Sequence, residues 1–270
     1  MSASQMNWID LGDITLRYAL TGRGPQTVVL LHELGGSLES FDDLAPLLGD
    51  GLRVLRYDLR GAGLSEKPRA GFAFDDHVND LGKLLAALEI DTPVHLIGVA
   101  AGAALAVSLA LKHKRLVGAL ALCAPALHVD QDRVSYLAGR SELVMREGMR
   151  AVADETLDRS YPPVVRRDEA AYLTYRGRFL ANDPVGYAHI NMAFAGVNLL
   201  DRLPELDHPC LVLAGAHDRL RPQDKVEAIG RTIPGAEFAV IDSGHLMAAQ
   251  APAEMARRLI DFLARAATRR

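Results

Sequence analysis

The sequence predicts an α/β fold, in which helices cover a mostly parallel sheet of eight strands. Three observations lead to this prediction. Apolar, strand-like runs alternate with helical patterns along most of the 270 residues. A strand-free segment interrupts the alternation only once, from about 126 to 205. The hydrophobic share of 49% is enough for one large domain, or for one domain with an insertion.

The strands are predicted in chain order from the apolar runs. The stretch "WIDLGDITLRYAL" (8–20) predicts two strands joined by a Gly-Asp turn, as in a hairpin. The six further strands are almost continuously apolar, as expected when both faces of a strand are buried, and cover 27–33, 52–58, 93–99, 116–123, 209–215 and 236–242. The helical patterns between and after them cover 40–48, 74–88, 100–113, 222–232 and 252–267.

The strand-free segment is predicted to be a helical cap. It is polar and helix-prone, and Pro162-Pro163 precede a long helical pattern, as at a helix start. Its length exceeds that of a loop. We therefore expect residues 1–125 and 206–270 to form the core, with 126–205 inserted between two core strands. Ligands of parallel sheets bind beyond the strand C-termini, where such an insertion must begin, so a roof over that edge is favoured over a bundle elsewhere.

The charge and the apolar runs of the sequence argue against nucleic acid and membrane as partners. The net charge is −4 and no long basic run is present, which argues against nucleic acid. Lys112 and Lys114 interrupt the longest apolar run, and the N-terminus lacks a signal-peptide core, so we expect a cytoplasmic protein without membrane contact. No metal or other cofactor is expected, and the expected partner is a small-molecule substrate. A homodimer remains open.

The stretch "VHLIGVAAGAALAVSLALKH" (94–113) carries the first candidate site. A strand passes through "GVAAG" directly into a helix, which is the shape of a hydrolase nucleophile elbow. Ala100 occupies the nucleophile position, and a methyl group cannot attack. The start of the following helix still offers unpaired N–H groups and a positive dipole end. The turn therefore favours an oxyanion or a bound anion, whatever its central side chain.

Two downstream residues belong to the same pattern. Asp218 follows a predicted strand, in a short loop before a helix, and His245 follows the last strand, before the last helix. The order elbow, Asp, His is that of α/β-hydrolases, and the ends of parallel strands meet at one edge of the sheet. Taken alone, Asp218 could be a helix N-cap and His245 a surface loop residue. Their joint order and spacing favour a catalytic set.

The chain resembles the α/β-hydrolase fold family over nearly its full length. The matching stretches are "VVLLHELGGSLESF", "YDLRGAGLSEKP", the elbow, "GAHDRLRP" and "DSGHLMAAQAPAE". It is most similar to small capped members such as 3-oxoadipate enol-lactonase and related lactonases, esterases and carbon–carbon bond hydrolases. The resemblance implies that Asp218 is the acid, His245 the base, and the backbone N–H groups of Leu34 and Ala101 the oxyanion hole.

Glu33, like Ala100, differs from the residue that the family pattern has at its position. The family pattern after the third strand is His-Gly, whereas this chain has His32-Glu33. A carboxylate at this point either faces solvent or has a structural role, or it lies near the pocket. In the pocket it could contact substrate, orient a water or repel anionic substrates.

Ala100 leaves three interpretations open. It could replace a Ser of the natural protein, with the rest of the machinery intact. It could be natural, with His245 activating a water directly for an activated or self-decomposing substrate such as an enamine, a carbamate or a strained lactone. The protein could instead bind a small molecule without turnover or regulate a partner. Glu33 adds weight to the second interpretation, because one laboratory substitution would not explain two departures.

The predicted function is hydrolysis of a small ester, lactone or related carbonyl substrate, whose identity the sequence does not give. Aromatic and methionine side chains of the predicted cap could line a pocket or simply fill the core of the cap. These are Tyr161, Tyr172, Tyr175, Phe179, Tyr187, Met192 and Phe194.

Overall fold

A computed structural model describes residues 6–268 of the chain. Residues 1–5 and 269–270, the two ends of the predicted core, lie outside the described residues. The described strands form one sheet in the order β1-β2-β4-β3-β5-β6-β7-β8. Their bounds are β1 Met6–Asp10, β2 Thr15–Thr21, β3 Gln26–Leu31, β4 Leu52–Tyr57, β5 Val94–Val99, β6 Val117–Cys123, β7 Cys210–Gly215 and β8 Glu237–Ile241. The pairs β1–β2 and β2–β4 are antiparallel and all other neighbours are parallel. The mostly parallel sheet is confirmed.

Helices cover both faces of this sheet. The described residues contain nine α-helices: α1 Phe74–Ala87, α2 Ala101–Lys112, α3 Gln131–Glu147, α4 Arg150–Ser160, α5 Glu169–Leu180, α6 Pro184–Ala195, α7 Gln223–Thr232, α8 Met247–Gln250 and α9 Pro252–Ala267. Val29 and Leu31 of β3 pack on the side of α1, α2 and α7, whereas Val28 and Leu30 pack on the side of α9. Alternate residues of a strand point to opposite faces, so burial on both sides explains the continuous apolar runs. None of these helices within 6–268 has both the length and the apolar composition to cross a membrane.

The prediction of one helix over 40–48 is wrong. Two short 3-10 helices, Leu38–Phe41 and Ala45–Leu48, occupy this region instead. An α-helix there would place Pro46 in its interior. Proline has no N–H to donate to the carbonyl four residues earlier, so the continuous helix is disfavoured.

The segment between β6 and β7 folds into α3, α4, α5 and α6. The expected helix start at Pro162-Pro163 is wrong: these residues lead into a 3-10 turn, Pro163–Val165, and α5 begins only at Glu169. Asp168 is the N-cap, because its side chain accepts hydrogen bonds from two backbone N–H groups at the start of the helix. A capping carboxylate thus marks this helix start better than the prolines do.

His77 of α1 is a fully buried histidine with no hydrogen-bond partner on either ring nitrogen among the described residues. Its ring packs against Phe72 and Phe194, with centroids 5.1 and 5.7 Å away. Burial, with a smaller contribution from the charge of Arg60, lowers the pKa of His77 to about 3. The unfolded chain binds a proton here below about pH 6.5, whereas the folded chain does not. The contribution of His77 to stability is therefore present above pH 6.5 and is lost as the pH falls towards 3.

We expect His77→Phe to reduce the acid sensitivity of the fold. Between pH 7 and pH 5, protonation of this histidine in the unfolded chain should remove about 2 kcal/mol from the free energy of unfolding. Between the two pH values, the free energy of unfolding of the phenylalanine variant should fall by about 2 kcal/mol less than that of the unmodified chain. Urea unfolding at pH 7 and pH 5 measures both changes. His113→Phe, at an exposed position, is the matched control and should keep the full loss. Equal losses in the two variants would contradict this account.

Candidate active site

Ala100 lies at the turn between β5 and α2 in a strained backbone conformation. Its φ is 50° and its ψ is −108°, in the left-handed half of conformational space that favours glycine. Three hydrogen bonds hold it there: its N–H donates to the Cys123 carbonyl at 2.9 Å, and its carbonyl accepts from Ala103 and Ala126 N–H, each at 3.1 Å. A non-glycine residue persists in such a conformation where its surroundings fix it. The backbone of a nucleophile elbow is therefore present, with a methyl group in place of the nucleophile.

Gly98 and Gly102 allow the two sides of this turn to approach. A Cβ on Gly98 would overlap the backbone of Gly102, and a Cβ on Gly102 would overlap the carbonyl oxygen of Leu31 at the end of β3. No residue with a side chain fits at either position without displacing backbone. The N-terminus of α2 is thus held against the end of β3.

The backbone N–H groups of Leu34 and Ala101 lie at this same edge of the sheet. Leu31 pairs with Gly98 in the parallel register of β3 and β5, and Leu34 and Ala101 each follow three residues later. Among the residues that the structure describes, neither N–H has a hydrogen-bond acceptor. Ala101 is the first residue of α2, where an N–H has no acceptor within the helix and the helix dipole is positive. Both N–H groups therefore lie at this edge without an acceptor in the described part of the chain.

Asp218 and His245 are hydrogen-bonded and buried. His245 Nδ1 lies 2.8 Å from Asp218 Oδ2, and Asp218 Oδ1 accepts the N–H groups of Leu220 and Arg221 at 2.8 and 2.9 Å. A carboxylate only accepts hydrogen bonds, so the histidine proton is on Nδ1 and Nε2 is free to accept one. The alternative of Asp218 as a helix N-cap is wrong, since Pro222 precedes α7. The alternative of His245 as a surface residue is also wrong, because it is only 8% exposed.

Gln250 of α8 holds the loop that carries His245. Its Oε1 accepts hydrogen bonds from Gly244 N–H at 2.8 Å and from Ser243 Oγ at 3.0 Å. Its Nε2 donates to the Ser160 carbonyl at 2.9 Å, and the N–H of His245 donates to the same carbonyl at 3.2 Å. Sequence reasoning missed Gln250 because its partner Ser160 ends α4, far away along the chain.

Glu33 is buried, so its solvent-facing interpretation is wrong. It is 4% exposed, and its Oε1 accepts hydrogen bonds from Ser40 Oγ at 2.7 Å and from Tyr175 Oη at 2.6 Å. Burial, and then the charge of Glu33, raises the pKa of Tyr175 well above its usual value. The phenol therefore stays protonated and donates a hydrogen bond to Glu33. Glu33 therefore links the loop after β3 to α5.

A cavity of about 150 Å³ lies between the strand-end loops and the helices α3 to α6. Glu33, Leu34 and His245 line it from the loops, but Ala100 and Ala101 are not among its lining residues. Of the predicted aromatic candidates, Tyr175, Phe179 and Tyr187 line the cavity. The others lie elsewhere: Tyr161 packs on Tyr172, Phe194 packs on Phe74, and Met192 is 40% exposed. Three lining arginines, Arg133, Arg140 and Arg159, are not identified by sequence reasoning.

The fold is that of a hydrolase family. The model of the alpha/beta hydrolase fold family matches residues 26–252 of the chain. The chain belongs to that family and is an enzyme of the α/β-hydrolase type.

Individual relatives cover nearly the whole chain. A relative from Caulobacter segnis with the name "Putative carbamate hydrolase RutD" is 29% identical over 247 residues, spanning 89% of this chain and 92% of its own. A thermophilic esterase from Thermogutta terrifontis is 27% identical with a TM-score of 0.92, over 97% of this chain and 99% of its own. An enol-lactonase from Burkholderia xenovorans LB400 is 26% identical with a TM-score of 0.90, over 96% and 100%. The expected resemblance to lactonases and esterases is confirmed.

We expect Gly102→Ala to destabilise the fold. The new methyl group would overlap the Leu31 carbonyl oxygen. Removing this overlap requires α2 or β3 to move, which should lower the free energy of unfolding by about 3 kcal/mol or more. Gly82→Ala in α1 is the matched control, because its Cβ meets nothing within 4 Å. That variant should gain up to about 1 kcal/mol from helix propensity. Urea unfolding of both variants measures the difference, and similar effects would show that the elbow is not tightly packed.

Proposed function

We propose that the chain hydrolyses a small ester, lactone or carbamate by direct attack of a water that His245 activates. The observation that carries this proposal is the 2.8 Å hydrogen bond between His245 and Asp218, beside a cavity and at the edge that carries the free N–H groups of Leu34 and Ala101. The three substrate classes are those named for the relatives. They share a carbonyl carbon that is attacked and a developing oxyanion.

In the proposed reaction, His245 Nε2 takes a proton from the water as its oxygen bonds to the carbonyl carbon. The carbonyl electron pair moves to the oxygen, and the N–H groups of Leu34 and Ala101 stabilise that oxyanion. Asp218 accepts a hydrogen bond from the Nδ1–H of His245 and stabilises the imidazolium that forms. When the tetrahedral intermediate collapses, the bond to the leaving group breaks and the leaving oxygen takes the proton from His245 Nε2. The products are a carboxylic acid and an alcohol from an ester, the opened hydroxy acid from a lactone, and a carbamic acid and an alcohol from a carbamate ester.

Ala100 is compatible with this reaction because the nucleophile is a water. Glu33 supports a natural site without serine, since this residue also departs from the family pattern and is tied to Ser40 and Tyr175 by hydrogen bonds. A single laboratory replacement at Ala100 would leave such a linkage unexplained. Activated carbonyl substrates suit a site that offers only a base and an oxyanion hole.

We further propose that residues 126–205 act as a cap on a core formed by 1–125 and 206–270. The lining of the cavity by side chains of α3, α4, α5 and α6 supports this division. A roof of this kind excludes bulk water and strengthens hydrogen bonds to the developing charge. The small cavity volume favours a small-molecule substrate.

The role of His245 predicts a specific loss of activity. His245→Ala should lower kcat/KM on p-nitrophenyl acetate and on small lactones by about 10²–10⁴-fold, because it removes the general base. His217→Ala is the matched control: this neighbouring histidine pairs with Asp242 at the surface and does not line the cavity. The control should keep the activity of the unmodified chain. Equal activity in all three proteins would contradict the proposal.

Ala100→Ser separates the proposed water mechanism from an inactivated serine hydrolase. Measurable turnover by the unmodified chain that disappears in His245→Ala supports direct water attack. A chain that is inert until Ala100→Ser restores activity by thousands of times would show that a serine is required. No turnover by any variant, together with tight binding of an unconsumed ligand, would favour a binding protein.

A further inference from the structure

Arg140 of α3 is a largely buried cation whose hydrogen-bond partners are neutral hydroxyl groups. Its side chain is 9% exposed, and its guanidinium donates to the hydroxyl of Tyr187 at 3.2 and 3.3 Å and to the hydroxyl of Thr156. Its ion pair with Glu155 is long, with 3.9 Å between Nη1 and the nearest carboxylate oxygen. A largely buried cation with only a long ion pair costs free energy, which an anionic ligand would offset.

Two further arginines line the same cavity. Arg159 of α4 lies 3.8 Å from Glu155, and the guanidinium of Arg133 of α3 lies 5.3 Å from the centre of the Tyr136 ring. Among the described residues of α3 and α4 that line the cavity, Glu155 is the only acidic one, against three arginines. These two helices therefore contribute net positive charge to the cavity wall.

The strand-end loops contribute different groups to the cavity wall. Glu33 and His245 line the cavity from these loops. The hydrogen bonds that Glu33 accepts come from Ser40 and from Tyr175 of α5 rather than from an arginine. The cavity wall thus combines arginines of α3 and α4 with His245 of a strand-end loop.

We infer that Arg140, with Arg133 and Arg159, binds a carboxylate of the substrate at the α3 and α4 side chains of the cavity while the carbonyl reacts beside His245. The substrate class is then a half-ester or an acid-bearing lactone or carbamate. The planar guanidinium matches a carboxylate in geometry and charge. Two glutamates in so small a cavity favour a singly charged group over a phosphate dianion. The reaction in this inference rests on the proposed function, but the carboxylate binding does not.

The test compares two esters that differ by one charge, monomethyl glutarate and dimethyl glutarate. The unmodified chain should prefer the monomethyl ester by about tenfold or more in kcat/KM, measured by NMR of released methanol, since a hydrogen bond to a charged group contributes a factor of about 10 or more. Arg140→Met should lose this preference through a higher KM, with little change on the dimethyl ester. Arg140→Lys should restore part of the preference. Arg146→Met, an exposed arginine of the same helix, is the matched control.

A binding arm keeps the inference testable if no ester is hydrolysed. His245→Ala should bind monomethyl glutarate about tenfold more tightly than dimethyl glutarate by calorimetry, and adding Arg140→Met should abolish the difference. That result without any turnover would overturn the proposed function and support the carboxylate site. Equal binding of both esters, or tighter binding of methyl phosphate, would overturn the carboxylate site alone. If Arg140→Met lowers the melting temperature strongly, Arg133→Met at an exposed position replaces it.

Discussion

The close approach of α2 to β3 is the constraint on which the rest of the site depends. Gly102 packs against the Leu31 carbonyl, and this contact sets the start of α2 beside the end of β3. The two free N–H groups, of Leu34 and Ala101, share one edge of the sheet for that reason. The turn at Ala100 keeps its strained conformation although it carries no nucleophile, at a cost of about 1–3 kcal/mol. The geometry of this turn therefore positions the backbone N–H group of Ala101 as well as the side chain of Ala100.

The helices between β6 and β7 hold His245 in place as well as forming part of the cavity wall. The last carbonyl of α4, on Ser160, accepts hydrogen bonds from His245 and Gln250, so the position of the proposed base depends on this segment. A second link joins Tyr175 of α5 to Glu33 in the loop after β3. Both links join these helices to strand-end loops that line the cavity, beside the proposed reaction site. Substitutions in these helices would thus affect catalysis as well as substrate choice.

The sequence predicts those features that leave a local or ordered pattern. Burial on both faces produces the apolar runs that reveal the strands, and the order along the chain identifies Asp218 and His245. Features that depend on contacts between distant segments escape prediction. Gln250 lies outside every predicted element, and only its hydrogen bond to Ser160 shows its role. Arg140 likewise reads as a surface residue of a polar helix, and only its burial beside Tyr187 gives it significance. The burial of Glu33 could not be predicted either, because its hydroxyl donors come from two different segments.

In the proposed reaction the acyl group passes directly to water, without a covalent intermediate on the chain. The most direct test is rapid mixing of the unmodified chain with p-nitrophenyl acetate, in which the release of p-nitrophenol and the intact mass of the protein are measured over time. Direct water attack should give steady release from the first turnover and no acetylated protein at any time. A burst of p-nitrophenol equal to the enzyme concentration, with an acetyl group on the chain, would contradict it.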